Sequence, residues 1–256
     1  MVRPVVVALD IGNTTVALGC FDGDRLVASA RIPVARVEDE DVPARWPDAF
    51  PPLEALAGAA FVGCSVNPRV LRHVEEALAA HGGRLVLVER DLDVGVEVRL
   101  REPTQVGADR LVNAREAYHR VAGPVMVVDF GTAVTLECVS TDGAYVGGAI
   151  APGVRLGAAA LHEHTALLPA VDLVDNPPVL AVDTVGAMRS GVFWGTVGSV
   201  RELARRLLAE QPPDTAVLAT GGDAGLFAPH VPEIQSVVPD LTLTGLWRIY
   251  RDAHAD

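Results

Sequence analysis

The chain has 256 residues, half of them hydrophobic, and a formal net charge of −12 at pH 7. That composition excludes a disordered chain and leaves room for one or two full cores. The acidic balance, the lack of a basic cluster beyond Arg205-Arg206 and the absence of any lysine argue against nucleic acid as a partner and exclude a Walker-type lysine. Cys20, Cys64 and Cys138 are too few and too scattered for a disulfide framework or a zinc site. No signal-peptide pattern precedes the first strand, and no apolar stretch is fit to span a bilayer. A cytoplasmic protein with no membrane partner is therefore expected.

Val5-Val6-Val7-Ala8-Leu9 reads as a buried strand that runs into Asp10-Ile11-Gly12-Asn13-Thr14-Thr15. A carboxylate at a strand tip can hold a metal ion or its waters. A glycine there lets backbone N–H groups approach an anion, and hydroxyls donate to phosphate oxygens. Two more strands complete a meander over residues 5–32, turning at Phe21-Asp22-Gly23-Asp24. Residues 33–58 are acidic at Glu38-Asp39-Glu40-Asp41 and broken by Pro33, Pro43, Pro47, Pro51 and Pro52; they read as loop with one short helix at 53–58. Phe61 to Val66 is a second buried strand. Asn67 suits an N-cap, Pro68 a first helical position, and Val70, Val74, Leu78 and His81 form the buried stripe of a helix that Gly82 ends. Leu85 to Val88 closes a βαβ unit.

Val106-Gly107-Ala108-Asp109-Arg110 opens the next helix and places Asp109 in its first turn. Two readings stand side by side: a charge that complements the helix dipole, or a carboxylate held for chemistry. The dipole would keep it ionised and weakly basic, which suffices for phosphoryl transfer. A second half starts near Gly123-Pro124. Val125-Met126-Val127-Val128 leads into Asp129-Phe130-Gly131-Thr132-Ala133-Val134-Thr135, a second acid-tipped turn. Gly147-Gly148-Ala149-Ile150-Ala151-Pro152-Gly153 then turns into a helix at about 153–161, and residues 169–178 form a loop. His162 and His164 lie two apart, with no third metal ligand in view. A long helix follows from Thr184 to about Glu210. Gly186, Gly191, Gly195 and Gly198 recur along it, which suggests close approach of another backbone, within the domain or across a dimer. Val217-Leu218-Ala219 is a strand ending in Thr220-Gly221-Gly222, a turn on which a base and ribose can lie. Leu241 to Tyr250 is a short closing helix.

The two acid-tipped turns stand 119 residues apart, and at that offset Gly12 meets Gly131 and the turn Phe21-Asp22-Gly23-Asp24 meets Ser140-Thr141-Asp142-Gly143, without a gap from Asp10 to Ile150. We read an internal duplication, with domains at residues 1–122 and 123–256.

These strings resemble type III pantothenate kinase, within the superfamily of sugar kinases, actin and heat-shock chaperone ATPases. The resemblance is carried by Asp10-Ile11-Gly12-Asn13-Thr14, Cys64-Ser65-Val66-Asn67-Pro68, Val106-Gly107-Ala108-Asp109-Arg110, Asp129-Phe130-Gly131-Thr132-Ala133, Gly147 to Gly153, Thr165 to Pro169, Ala187-Met188-Arg189-Ser190-Gly191 and Thr220-Gly221-Gly222. It implies an α/β fold of two duplicated ribonuclease-H-like domains with a nucleotide cleft between them. The implied reaction is ATP-dependent phosphorylation of pantothenate to 4′-phosphopantothenate, the first step of coenzyme A biosynthesis. By the same resemblance Asp109 is the catalytic base. Asp10, Gly12, Asn13, Thr14, Thr132, Gly221 and Gly222 bind ATP. Gly107, Arg110 and Thr184 bind pantothenate, Thr184 from the partner of a homodimer. Asp10 holds Mg²⁺ through water, and Asp129 holds a monovalent cation, potassium or ammonium.

The chain departs from the family pattern at Leu100-Arg101-Glu102-Pro103, where an aromatic is usual, at Ala181-Val182-Asp183, and in the short proline-rich stretch 33–58. The first two departures touch the acceptor side and leave the nucleotide side unaltered. Two other readings stand beside the leading one: a kinase of the same fold for another small hydroxylated acceptor, and a non-catalytic nucleotide-binding regulator. A regulator would be free to lose Asp109 or Asp129, and both are present.

Overall fold

The structure is a computed structural model, and it describes residues 5–37 and 50–255. The acidic run at 38–41, Pro43 and Pro47 lie outside the described residues. In chain order the elements are β1 (Val6–Ile11), β2 (Thr15–Asp22), β3 (Arg25–Pro33), α1 (Val34–Val37), β4 (Ala60–Ser65), α2 (Pro68–Ala80), β5 (Leu85–Leu87) and α3 (Ala108–Val121). The second series is β6 (Val125–Phe130), β7 (Ala133–Val139), β8 (Tyr145–Pro152), α4 (Val154–Glu163), α5 (Thr184–Leu208), β9 (Ala216–Thr220), α6 (Ala224–Phe227), β10 (Ser236–Val237) and α7 (Leu241–Ala253). The helix expected at 53–58 is a single 3₁₀ turn, Leu53–Leu56.

Strands β1 and β6 are runs of branched apolar residues buried on both faces, which suits the centre of a sheet. Each is the middle of five: β3-β2-β1-β4-β5 in one sheet and β10-β9-β6-β7-β8 in the other. β2 and β7 pair antiparallel with the middle strands β1 and β6, and β4 and β9 pair parallel with them. The two orders are the same order, the ribonuclease-H-like one. Val7, Leu9 and Ile11 share a core with Val70, Val74 and Leu78 of α2, while Met126, Val128 and Phe130 share one with Phe193, Val197 and Val200 of α5. Asn67 caps α2 by accepting from Val70 N at 3.2 Å, as its sequence signals. His81, expected on the buried stripe, is instead the exposed C-cap residue.

The duplication is more exact in space than in sequence. Asp10 pairs with Ala17 and Asp129 with Thr135, so the first copy has one more residue in its turn. A β-bulge follows at Cys20/Phe21 in one copy and Cys138/Val139 in the other, an offset of 118 and not 119. Cys20 then faces Ala28 and Cys138 faces Gly147, which restores 119 on the third strand. The gapless alignment conceals two compensating one-residue shifts. Asn13 is the extra residue of the first turn, and Thr14 matches Thr132.

By contacts the chain divides into one unit of Met1–Val96, Arg101–Glu116 and Asp240–Asp256, and another of Glu97–Leu100 and Ala117–Pro239. The expected boundary at 122/123 differs mainly in α7, which belongs with the first sheet. Trp247 stacks on Phe21 with ring centroids 5.4 Å apart, and Thr242 Oγ1 donates to Asn113 Oδ1 at 2.8 Å. Arg248 donates to the fully buried Glu116 at 2.6 Å. The apolar face of α7, Leu243, Leu246, Trp247 and Ile249, needs an uncovered sheet face, and proximity in sequence does not decide which. Among the described residues no helix is long and apolar enough to cross a membrane.

Candidate active site

In the first unit Asp10 stands near the end of β1, with Cys64 on the parallel strand β4 directly beside it. The Cys64 thiol donates to Asp10 Oδ1 at 3.5 Å. Burial, then the charges of Asp10 and Asp109, push the Cys64 thiol well above its ordinary range. It therefore stays protonated and orients Asp10 without adding charge. Past Asp10 the turn is tight: Gly12 N donates to Thr15 O at 3.0 Å and Val34 N to Thr14 O at 2.9 Å. Asn13 and Thr14 are exposed at its tip.

Gly107 precedes α3, and a side chain there would run into Asp109 Oδ1 and Val66. The Asp109 carboxylate is folded back over that glycine and accepts from Arg110 N at 2.9 Å. Its pKa is raised, because burial outweighs the backbone donors and the Arg110 charge. This corrects the expectation of a weak base held ionised by the helix dipole: the site makes Asp109 a stronger base than a free aspartate. Glu89 adds a second perturbed carboxyl, raised by burial and then by the Asp109 charge, on a backbone with φ of 70°. Sequence reasoning missed Glu89, since no motif contains it. The pairing of Cys64 with Asp10 follows once β1 and β4 are known to be parallel.

In the second unit Asp129 stands at the equivalent place on β6, beside Thr220 of β9. Three turns close around it. Gly131 N donates to Ala133 O at 3.1 Å, Gly153 N to Thr132 O at 3.2 Å and Asp223 N to Phe130 O at 3.2 Å. A β-carbon on Gly153 would collide with the carbonyls of Gly131 and Thr132, and one on Gly221 with Asp129 Oδ1 and Phe130 O. Asp129, Thr132 and Gly221, with Gly222 next in the chain, are thus brought together within this unit, joined by Gly153. Arg155 of α4 reaches across to Asp223, Nη2 to Oδ1 3.0 Å.

Thr184 is the first residue of α5, whose N-cap Asp183 accepts from Gly186 N at 2.7 Å. It borders an apolar groove of about 550 Å³ between α4 and α5. Of the α5 glycines only Gly186 has close neighbours, Ala181 and Asp183; Gly191, Gly195 and Gly198 face open space. Close packing within the domain is therefore not what they serve. His162 and His164 belong to no metal cluster: among the described residues no group of three or more His, Cys, Asp or Glu side chains could hold a metal ion.

The fold and site define a class, α/β proteins made of two copies of one five-stranded unit, each with an acid, a glycine and a threonine at the end of its central strand. The family model of type III pantothenate kinase matches residues 6–206. The type III pantothenate kinase of Phenylobacterium zucineum is 37% identical over 96% of this chain and 98% of its own length. That of Roseobacter denitrificans is 40% identical with the same coverage. A solved structure from Campylobacter jejuni, described as a conserved Baf family transcriptional activator, matches with a TM-score of 0.61 at 17% identity, over 96% of this chain and 98% of that one; it shows the fold alone. The chain belongs to the type III pantothenate kinase family.

Proposed function

We propose that the chain transfers the γ-phosphoryl group of ATP to the primary hydroxyl of pantothenate, giving ADP and 4′-phosphopantothenate for coenzyme A synthesis. The observation that carries this reading is Asp109: a carboxylate with raised pKa, held over Gly107 within the family's own motif. Phosphoryl transfer has a loose transition state and asks for positioning and charge neutralisation more than for strong proton abstraction. Asp109 accepts the hydroxyl proton, and Gly107, Arg110 and, from a second copy, Thr184 hold pantothenate. Backbone and side chains at Gly12, Asn13, Thr14 and Thr132 hold phosphates, and Gly221 and Gly222 carry the adenosine.

The donors at Asp10 and Asp129 are oxygens, which suit hard cations. With no cluster of three protein ligands among the described residues, Mg²⁺ at Asp10 would be held by one carboxylate, waters and the nucleotide's own phosphates. The Asp129 carboxylate, among the backbone groups of three turns, suits a monovalent cation, potassium or ammonium. Bound there, such cations neutralise charge that develops on the transferred group in a chain without lysine.

The groove along α5 and the exposed Val179, Leu180 and Val182, which are 72%, 88% and 97% exposed, support a homodimer through this face. The test of function is ADP release with Mg²⁺-ATP and a panel of acceptors. Saturable release with pantothenate and none with polyols is expected. Saturation by a polyol, with no response to pantothenate, would assign another acceptor and direct attention to residues 100–103 and 181–183.

A further inference from the structure

We propose that Arg99 is a positioning residue for the acceptor: its guanidinium, clamped by Asp142 and Glu97, pins residues 97–100 to the edge of β8 and so fixes where the segment leading to Gly107 and Asp109 begins. This rests on the kinase reading above, and Arg99 lies outside the motifs that carry that reading.

β8 is the outer strand of its sheet. At Tyr145 its edge takes up the segment before Leu100 as a parallel rung with Val98: Tyr145 N donates to Glu97 O at 2.8 Å and Arg99 N to Tyr145 O at 2.9 Å. Two such backbone bonds hold modestly by themselves. The Arg99 side chain closes over them. Nη1 and Nη2 donate to the two oxygens of Asp142 at 3.2 and 2.6 Å, while Nε and Nη2 donate to those of Glu97, each at 2.9 Å. Ser140 Oγ donates to Asp142 Oδ1 at 2.6 Å and holds that carboxylate in place. The hydrogen bonds from Arg99, then from Ser140, bring the Asp142 carboxyl down to about 2, so the clamp keeps its charges through the neutral range. An isolated exposed ion pair contributes little to stability. A bidentate one in a network fixes an orientation, which a single contact does not.

The course of the chain gives that orientation its use. The chain enters the second unit at Glu97 and leaves it at Leu100, and Arg101–Glu116 belong to the first. Leu100 Cδ2 lies 3.4 Å from where a β-carbon of Gly147 would stand. Past Leu100, residues 101–105 are exposed throughout, with one 3₁₀ turn at Pro103–Gln105, and burial resumes at Val106. No aromatic side chain occurs from 97 to 107 to anchor them. A segment of this kind takes its position from its two ends, the clamp at Arg99 and the turn at Gly107. Opening the clamp widens the range that the segment samples. An acceptor held beside Gly107 and Arg110 must then order it on binding, a cost that falls on acceptor affinity and not on the chemical step.

The test is steady-state kinetics of the full chain, with pantothenate and ATP varied in turn, beside amide hydrogen exchange. Arg99→Ala is expected to raise KM for pantothenate about fivefold, the scale of an exposed ion pair, with kcat and KM for ATP unchanged. Exchange of the Arg99-position and Tyr145 amide hydrogens accelerates in the same variant. Asp142→Ala reproduces both effects, and combining it with Arg99→Ala adds nothing, because either removal opens the clamp. Arg99→Lys keeps the charge without the fork and recovers only part of the loss. Thermal unfolding confirms that each variant is folded. Accelerated exchange with native KM for pantothenate makes the clamp structural alone and overturns the proposal, while the kinase reading stands. An equal rise in KM for both substrates, or native exchange and native KM in both single variants, overturns it as well. No pantothenate-dependent turnover by the native chain removes the kinase reading and this extension with it.

Discussion

Gly221 stands so close to Asp129 that a β-carbon added to it would collide with Asp129 Oδ1 and Phe130 O. Its φ of 98° excludes a side chain a second time, on conformational grounds. Gly221→Ala is expected to cost about 1–3 kcal/mol from backbone strain alone and to push Asp129 out of place. Gly222, next in the chain, has open space around it, so Gly222→Ala should stay within about 0.5 kcal/mol of native. Urea unfolding of the two variants checks the contrast.

Asp109 links stability to activity. Burial raises its carboxyl above the ordinary 3.8, so the ionised form carries a cost in the folded state. That cost is fully present above the folded pKa, shrinks as the pH falls through it, and is gone only below the unfolded value near 3.8. Asp109→Asn removes the charge and should melt higher than the native chain at neutral pH, with the difference closing in acid. The acid limb of kcat/KM should lie above the ordinary aspartate value, since the base works deprotonated. A limb at the ordinary value, or an unchanged melting temperature, would contradict the raised pKa.

Glu116 is fully buried and bound by Arg248, itself 15% exposed in its side chain. The pair holds α3 to α7 within the first unit. Glu116→Ala leaves a guanidinium facing a buried void and should cost about 3–5 kcal/mol in urea unfolding. Replacing both partners by apolar residues of similar size should recover most of that loss.

The duplicated meander was legible because Asp-Gly turns and acid-tipped strands leave strong local marks. The compensating shifts around Cys20 and Cys138 were not, since a gapless offset of 119 fits the sequence and only strand register reveals the bulges. The placement of α7 was hidden for a different reason. An amphipathic helix declares that it needs a partner face, and the long-range stack of Trp247 on Phe21 decides which one. The motifs singled out Asp109, Asp10 and Asp129 as candidates directly. The electrostatic setting of Asp109 was out of reach, because it depends on burial, and so was Glu89, which the fold brings within reach of the Asp109 charge.

On α5, Gly195 faces open space along the apolar groove. Gly195→Leu should raise the helix's own stability by up to about 1 kcal/mol while blocking close approach of a second copy. Sedimentation velocity should then show a folded monomer where the native chain sediments as a dimer. A native chain that sediments as a monomer would contradict the inferred dimer.

The rate of ADP release as pantothenate is added with Mg²⁺-ATP, with and without potassium, for the native chain and Asp109→Asn, decides both the reaction and its base. Turnover should require pantothenate, rise with potassium and fall by at least about 10²-fold in the variant. Pantothenate-dependent turnover that survives in Asp109→Asn would contradict the role given to this carboxylate. ATP binding with no response to pantothenate would contradict the reaction itself.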